Sequence, residues 1–166
     1  MNTMIPKSMT LKFLGVVVTF LLLIPVFTFG QKATGREDQK IADEIIAMTR
    51  KYNRAWDTLQ MNEVAKFHSN KSFRYYRHGN LAVGSNEEFR RVAPEWMKET
   101  KTLTEIEFND PVVQVLSKDT AIIGFKGVAK VVLKDGKDEL ESGATTYVWQ
   151  KIDKEWKIVN IHESKN

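Results

Sequence analysis

The sequence contains no cysteine, only three histidines and four prolines, and no block of basic residues. Without cysteine there is no disulfide, no thiolate metal ligand and no thiol for a lipoprotein anchor, so the fold must hold together by packing alone. His68 and His78 stand too far apart, with no ligand residue beside them, to read as a zinc motif; neither metal nor cofactor is expected. The 25 Lys and Arg residues are scattered among 21 Asp and Glu, and no helix collects them on one face. Nucleic acid is therefore not an expected partner.

Long apolar runs are also missing, save one at the start. Lys7 and Lys12 precede a mostly apolar stretch from Phe13 to Phe29, with no acidic residue before Gln31 and small residues at Thr28 and Gly30. That layout predicts a secretory signal peptide over 1–30, and hence an exported product, periplasmic or secreted, without stable membrane anchoring after cleavage. The alternative is an uncleaved anchor, for which the run is short and carries Pro25 near its end. Removing 1–30 takes away two Lys and no acid, so the formal charge of +4 becomes 4 − 2 = +2.

Residues 31–36 read as a flexible lead-in and 37–166 as one domain. From Glu37 to Gln60, Ile41, Ile45, Met48, Tyr52, Trp56 and Leu59 recur at steps of three and four, the stripe of an amphipathic helix. Residues 62–68 suit a short second helix. SFRYYRH, 72–78, reads as a strand ended by Gly79-Asn80. Ser85-Asn86-Glu87-Glu88 is a capping box opening a further helix, in which Pro94 predicts a kink or a break into two. From Thr102 the period becomes two. Turn signals at Ser117-Lys118-Asp119, Lys134-Asp135-Gly136 and Asp153-Lys154 divide the remainder into four strands of about ten residues, with Pro111 marking a bulge or an edge. Helices first and a long meander behind predict an α+β domain whose curved antiparallel sheet wraps around the N-terminal helices.

The last hairpin, TTYVWQKIDKEWKIVNIH, carries the strongest functional signal. A two-residue turn at Asp153-Lys154 predicts Thr145 opposite His162, Tyr147 opposite Asn160 and Trp149 opposite Ile158, with opposed residues sharing a face. One face then holds Thr145, Tyr147, Trp149, Ile158, Asn160 and His162, a mix of rings and hydrogen-bonding groups suited to a ligand pocket. The other holds Ala144, Thr146, Val148, Val159 and Ile161, an apolar row suited to packing or a subunit contact. Lys154 is not a residue that favours positive φ, and a one-residue slip would exchange the two faces.

Val148-Trp149, Asp153-Lys154, Trp156, Ile158-Val159, His162 and Ser164, together with Trp56-Asp57, Gly79 and Gly84 around a short strand, and Lys118-Asp119-Thr120-Ala121, resemble the nuclear transport factor 2-like superfamily. Within it the chain looks like the SnoaL-like families and the calcium/calmodulin-dependent kinase II association domain, over about residues 37–164. The resemblance implies a cone with a pocket between sheet and helices, and commonly a homodimer; the superfamily includes isomerases, cyclases, dehydratases and members without chemistry. It also implies two departures. Tyr147 stands where the kinase association domain has a pocket arginine, which removes an anchor for anions. The paired aspartates of the ketosteroid isomerases cannot be placed, because Asp110, Asp119, Asp135, Asp138 and Asp153 lie in or beside turns.

Together these features favour a small, largely apolar ligand held in the cone by Thr145, Tyr147, Trp149, Asn160 and His162, without catalysis. A proton-transfer enzyme using the same pocket is the first alternative, with His162 or one of Glu105, Glu107, Glu139 and Glu141 as base. A structural dimerisation module is the second. No catalytic residue can be named from the sequence, and Tyr75 and Tyr76, on opposite faces of one strand, compete for the pocket. Trp56, Trp96 and Trp156 read as core.

Overall fold

The computed structural model describes residues 35–165; the expected signal peptide and residues 31–34 of the lead-in lie outside the described residues. Helix α1 is Arg36–Asp57, followed by the short α2, Met61–Val64, and a 3-10 turn, Ala65–Phe67. Strands β1, Arg74–Arg77, and β2, Asn80–Val83, precede α3, Asn86–Trp96. The meander follows as β3, Thr100–Ser117, β4, Thr120–Leu133, β5, Asp138–Ile152, and β6, Glu155–Lys165. These strands are 11 to 18 residues long, all exceeding the expected ten. No helix among the described residues is long and apolar enough to cross a membrane.

One six-stranded sheet runs in the order β2-β1-β6-β5-β4-β3. Every pairing is antiparallel except β1 with β6, which is parallel. β3 is an edge strand, and Pro111 falls in the register shift between Asn109 and Val112, where it has no partner on β4, next to Asp110 at φ 50°. The curved, unclosed sheet with its helices at the N-terminal side is the α+β cone anticipated from the order of elements.

α1 lies on the concave face because its stripe is apolar at the right spacing: Ile41, Ile45 and Tyr52 are buried. Two polar members of that face, Thr49 and Asn53, find partners rather than water. Thr49 Oγ1 accepts the indole N–H of the fully buried Trp149 at 3.2 Å, tying α1 to β5. In α3, Ser85 Oγ accepts from the Glu88 amide at 3.1 Å, while the Glu88 carboxylate reaches the Gly84 amide at 2.7 Å, one residue earlier than a standard capping box. Pro94 does not divide the helix. It sits in the last turn of an 11-residue helix that runs unbroken to Trp96.

The last hairpin corrects the expected register. Asp153 and Lys154 do form a two-residue turn, both at positive φ (52° and 71°), and Trp149 does face Ile158. A bulge at Val159 then shifts the pairing, so Val148 meets Asn160, Tyr147 meets Ile161, Thr146 meets His162 and Thr145 meets Glu163. The bulge falls where β6 changes its other neighbour. Up to Ile158 that edge bonds to residues 68 and 69, and from Asn160 onward it pairs with β1. A strand switching partners needs an extra residue to re-aim its side chains.

Candidate functional site

The bulge decides what the concave face presents. Ile161, expected on the outer row, is 1% exposed in the core, whereas Asn160 and His162 turn to the convex face, Asn160 half-buried and His162 exposed. Glu163 takes the inward place that His162 was expected to hold. Of the five ligand-binding candidates, Thr145 and Tyr147 line a cavity at the open end of the cone, Trp149 lies in the packed core below it, and Asn160 and His162 lie outside it. The apolar pair Ile158 and Ile161, three apart in a strand, was the available signal: they can share a face only across a bulge.

The cavity has a volume of about 180 Å³. Trp56 of α1, Trp96 and Met97 at the end of α3, and Phe125 of β4 form its apolar walls, so Trp56 and Trp96 are lining rather than core. Trp156 is core, as expected. Gly127 and Gly143, directly opposed on β4 and β5, add no side chain of their own to the wall, and the Phe125 ring lies 3.6 Å from where a Cβ on Gly127 would sit. Tyr75, not Tyr76, faces inward.

Two hydrogen-bond chains cross this space. In the first, the buried Tyr147 hydroxyl donates to Asn53 Oδ1 at 3.2 Å, and the Asn53 amide donates to the Glu105 carboxylate. In the second, the Tyr75 hydroxyl donates to Glu163 Oε2 at 2.6 Å, and Arg77 sits between Glu163 at 3.9 Å and Glu141 at 3.3 Å. Burial pushes the Glu105 and Glu163 carboxyls above the usual range; the hydrogen bonds from Asn53 and Tyr75 work against that without cancelling it. Burial also pushes the Tyr75 and Tyr147 hydroxyls up, so both stay protonated donors at neutral pH. Arg77 Nε, buried in the wall, has no hydrogen-bond partner. Among the described residues, no group of three His, Cys, Asp or Glu side chains could hold a metal.

The most buried histidine lies elsewhere. His68 is 2% exposed and stacked on Phe73 at 3.9 Å between ring centres. The Asn86 amide donates to Ala65 O and Asn70 Oδ1, leaving Asn86 Oδ1 as an acceptor; His68 Nδ1 must therefore carry the proton that bridges them at 3.2 Å. Nε2 is then free to accept from the Tyr52 hydroxyl at 3.1 Å. Burial lowers the His68 pKa to about 3, so the ring is neutral and structural. Asn53, Glu163 and Arg77 were missed as site residues because α1 periodicity favours apolar positions and the bulge hid the parity of β6.

Residues 41–166 match the family model for the calcium/calmodulin-dependent protein kinase II association domain. Among solved structures, a Xanthomonas campestris protein assigned to that association domain is 21% identical, with a TM-score of 0.65 over 74% of this chain and 86% of its own. A nuclear transport factor 2-like protein of Salmonella enterica serovar Typhimurium is 19% identical, with a TM-score of 0.68 over 76% and 92%. A hexachlorocyclohexane dehydrochlorinase of Novosphingobium barchaimii is 12% identical, with a TM-score of 0.66 over 78% and 89%. None of the curated proteins matches this chain significantly. The geometry and the family match over residues 41–166 agree, and the chain belongs to the calcium/calmodulin-dependent protein kinase II association-domain family, with the nuclear transport factor 2-like cone as its fold.

Proposed function

We infer that this is an exported protein that binds a small, largely apolar molecule in the open end of its cone, and that it does so without catalysis. The observation that carries this reading is the cavity itself: aromatic walls from three elements enclose two hydrogen-bond chains whose donors and acceptors are already oriented by one another. Such preorganised polar groups within an apolar space are what small-molecule recognition requires. At about 180 Å³ the space lies below the roughly 300–1,000 Å³ of drug-sized sites, which suits a ligand of one ring or a short chain. Native mass spectrometry of the protein purified from its host extract tests the reading. A retained small molecule supports it; a bare chain at concentrations that preserve the fold argues against it.

Proton transfer is favoured by one observation, the contact between Glu163, whose proton affinity burial raises, and Tyr75. A general base of this kind must also find an acidic C–H within reach. Exchange of substrate deuterium into solvent, abolished by Glu163→Gln, would establish that chemistry.

Homodimerisation is part of the same proposal. The convex face offers Ile122, Val148 and the strongly exposed Val112 and Leu116 (70% and 52%), an apolar patch of the kind that association covers. Ile161, expected to contribute, does not, because it faces the core. Membership in an association-domain family supports this reading. Light scattering should report two subunits, and Val148→Lys should reduce that to one. Export is tested by N-terminal sequencing of the processed product, which should begin at Gln31.

A further inference from the structure

The charges around the cavity do not balance, and the imbalance has a location. Glu105, Glu141 and Glu163 line it against one guanidinium, Arg77. Arg77 is already placed between Glu141 and Glu163. Glu105 is left on the opposite side, half-buried, and among the described residues no cationic group lies within ion-pairing distance of it. Its polar neighbours are the Asn53 amide, which bonds one carboxylate oxygen, and the Asp57 carboxylate one turn further along α1, which bonds the Glu105 backbone amide. Arg50 and Arg54 act on it only at longer range from the exposed side of α1. His78, at the rim beside Glu163, is exposed to solvent.

A half-buried carboxylate that faces an aromatic-walled space without a counter-ion is complementary to one ligand chemistry. Resting on the binding function inferred above, we propose that the pocket selects small organic cations: a primary ammonium group seated against Glu105, with the apolar body among Trp56, Trp96 and Phe125. The ammonium would use the free Glu105 oxygen, and the rings would stabilise the cation further through their electron-rich faces. An anion in the same position would face the unpaired Glu105 carboxylate, with the Asp57 carboxylate beside it. The raised proton affinity of Glu105 adds a signature. Seating a cation pulls the carboxyl back to its ionised form, so amine binding strengthens as pH rises through the carboxyl range.

Three probes of nearly equal shape test this on the full chain: 2-phenylethylamine, 2-phenylethanol and phenylacetate, titrated by calorimetry at pH 7. The amine is expected to bind about tenfold tighter than the alcohol, and the carboxylate least well. Glu105→Gln should remove most of the amine's advantage over the alcohol. Should that variant fold poorly, the wild-type chain still decides: between pH 4 and 7 the amine affinity should rise while the alcohol affinity stays level. Phenylacetate binding as tightly as the amine, or an amine preference that survives Glu105→Gln, would overturn the cation assignment while leaving the pocket itself standing. If none of the three binds, the pocket reading falls, and the cation assignment falls with it.

Discussion

The two ends of the cone are built from the same elements and handle buried polarity in opposite ways. At the closed end, Thr49 meets Trp149, and Tyr52, His68 and Asn86 form a relay in which every ring nitrogen and amide group has an uncharged partner. Phe73 and Phe89 pack around that relay and are no more than 1% exposed. At the open end, Tyr147 and Asn53 continue the same row along α1 and β5, but their chain ends on a carboxylate. A neutral, fully paired network stabilises a fold. A network ending in a charge whose ionised form is disfavoured by burial weakens it, and such cost is characteristic of a site that works.

The largest expected effect lies at the closed end. Phe73→Ala removes a ring stacked on His68 and should cost about 3–5 kcal/mol in urea unfolding. A loss under about 1 kcal/mol would mean that this end is not the structural half.

Acid should act on the same end. His68 binds a proton far less readily in the folded chain, at about 3, than its ordinary value of 6.5. Its stabilising contribution is therefore whole above pH 6.5 and declines as pH falls toward 3, by up to about 1.4 kcal/mol per pH unit. Unfolding curves at pH 7, 5.5 and 4.5 should show this decline, and His68→Gln should flatten it.

The open end should behave with the opposite sign. Glu105 and Glu163 have raised folded-state pKa values, so each destabilises the fold when ionised and ceases to do so once pH falls below the ordinary carboxyl value. Glu105→Gln keeps an oxygen for the Asn53 amide and should raise the melting temperature at pH 7, with the gain fading below about pH 4.5. A drop at pH 7 would make Glu105 a structural residue like those below it.

A smaller effect is expected at the hairpin turn, away from both ends. Lys154 holds φ at 71°, where a Cβ is unfavourable, so Lys154→Gly should stabilise by about 1 kcal/mol in chemical unfolding without moving any ligand affinity.

The order of elements, the three turns, the α1 stripe and the Ser85 cap were legible because each depends on neighbours within a few residues. The face of β6 was not. It depends on Val159 bulging where the strand exchanges residues 68 and 69 for β1, and that partner lies some eighty residues away in sequence. The same distance concealed Glu163, since only the bulge turns it inward beside Tyr75. Asn53 was overlooked for a different reason: a polar residue beside an apolar stripe normally faces water, and here it is 8% exposed because Tyr147 and Glu105 occupy both sides of its amide.

The chain carries four tryptophans, and they divide between the two regions. Trp56 and Trp96 wall the cavity, while Trp149 and Trp156 belong to the packed core. Their indole N–H signals, followed by heteronuclear NMR during titration with the uncharged probe 2-phenylethanol, therefore report on both ends in one experiment. The signals of Trp56 and Trp96 should move in a saturable way while those of Trp149 and Trp156 stay in place. Shifts confined to Trp149 and Trp156, or no saturable shift at any of the four, would contradict the division of the cone into a structural end and a binding end.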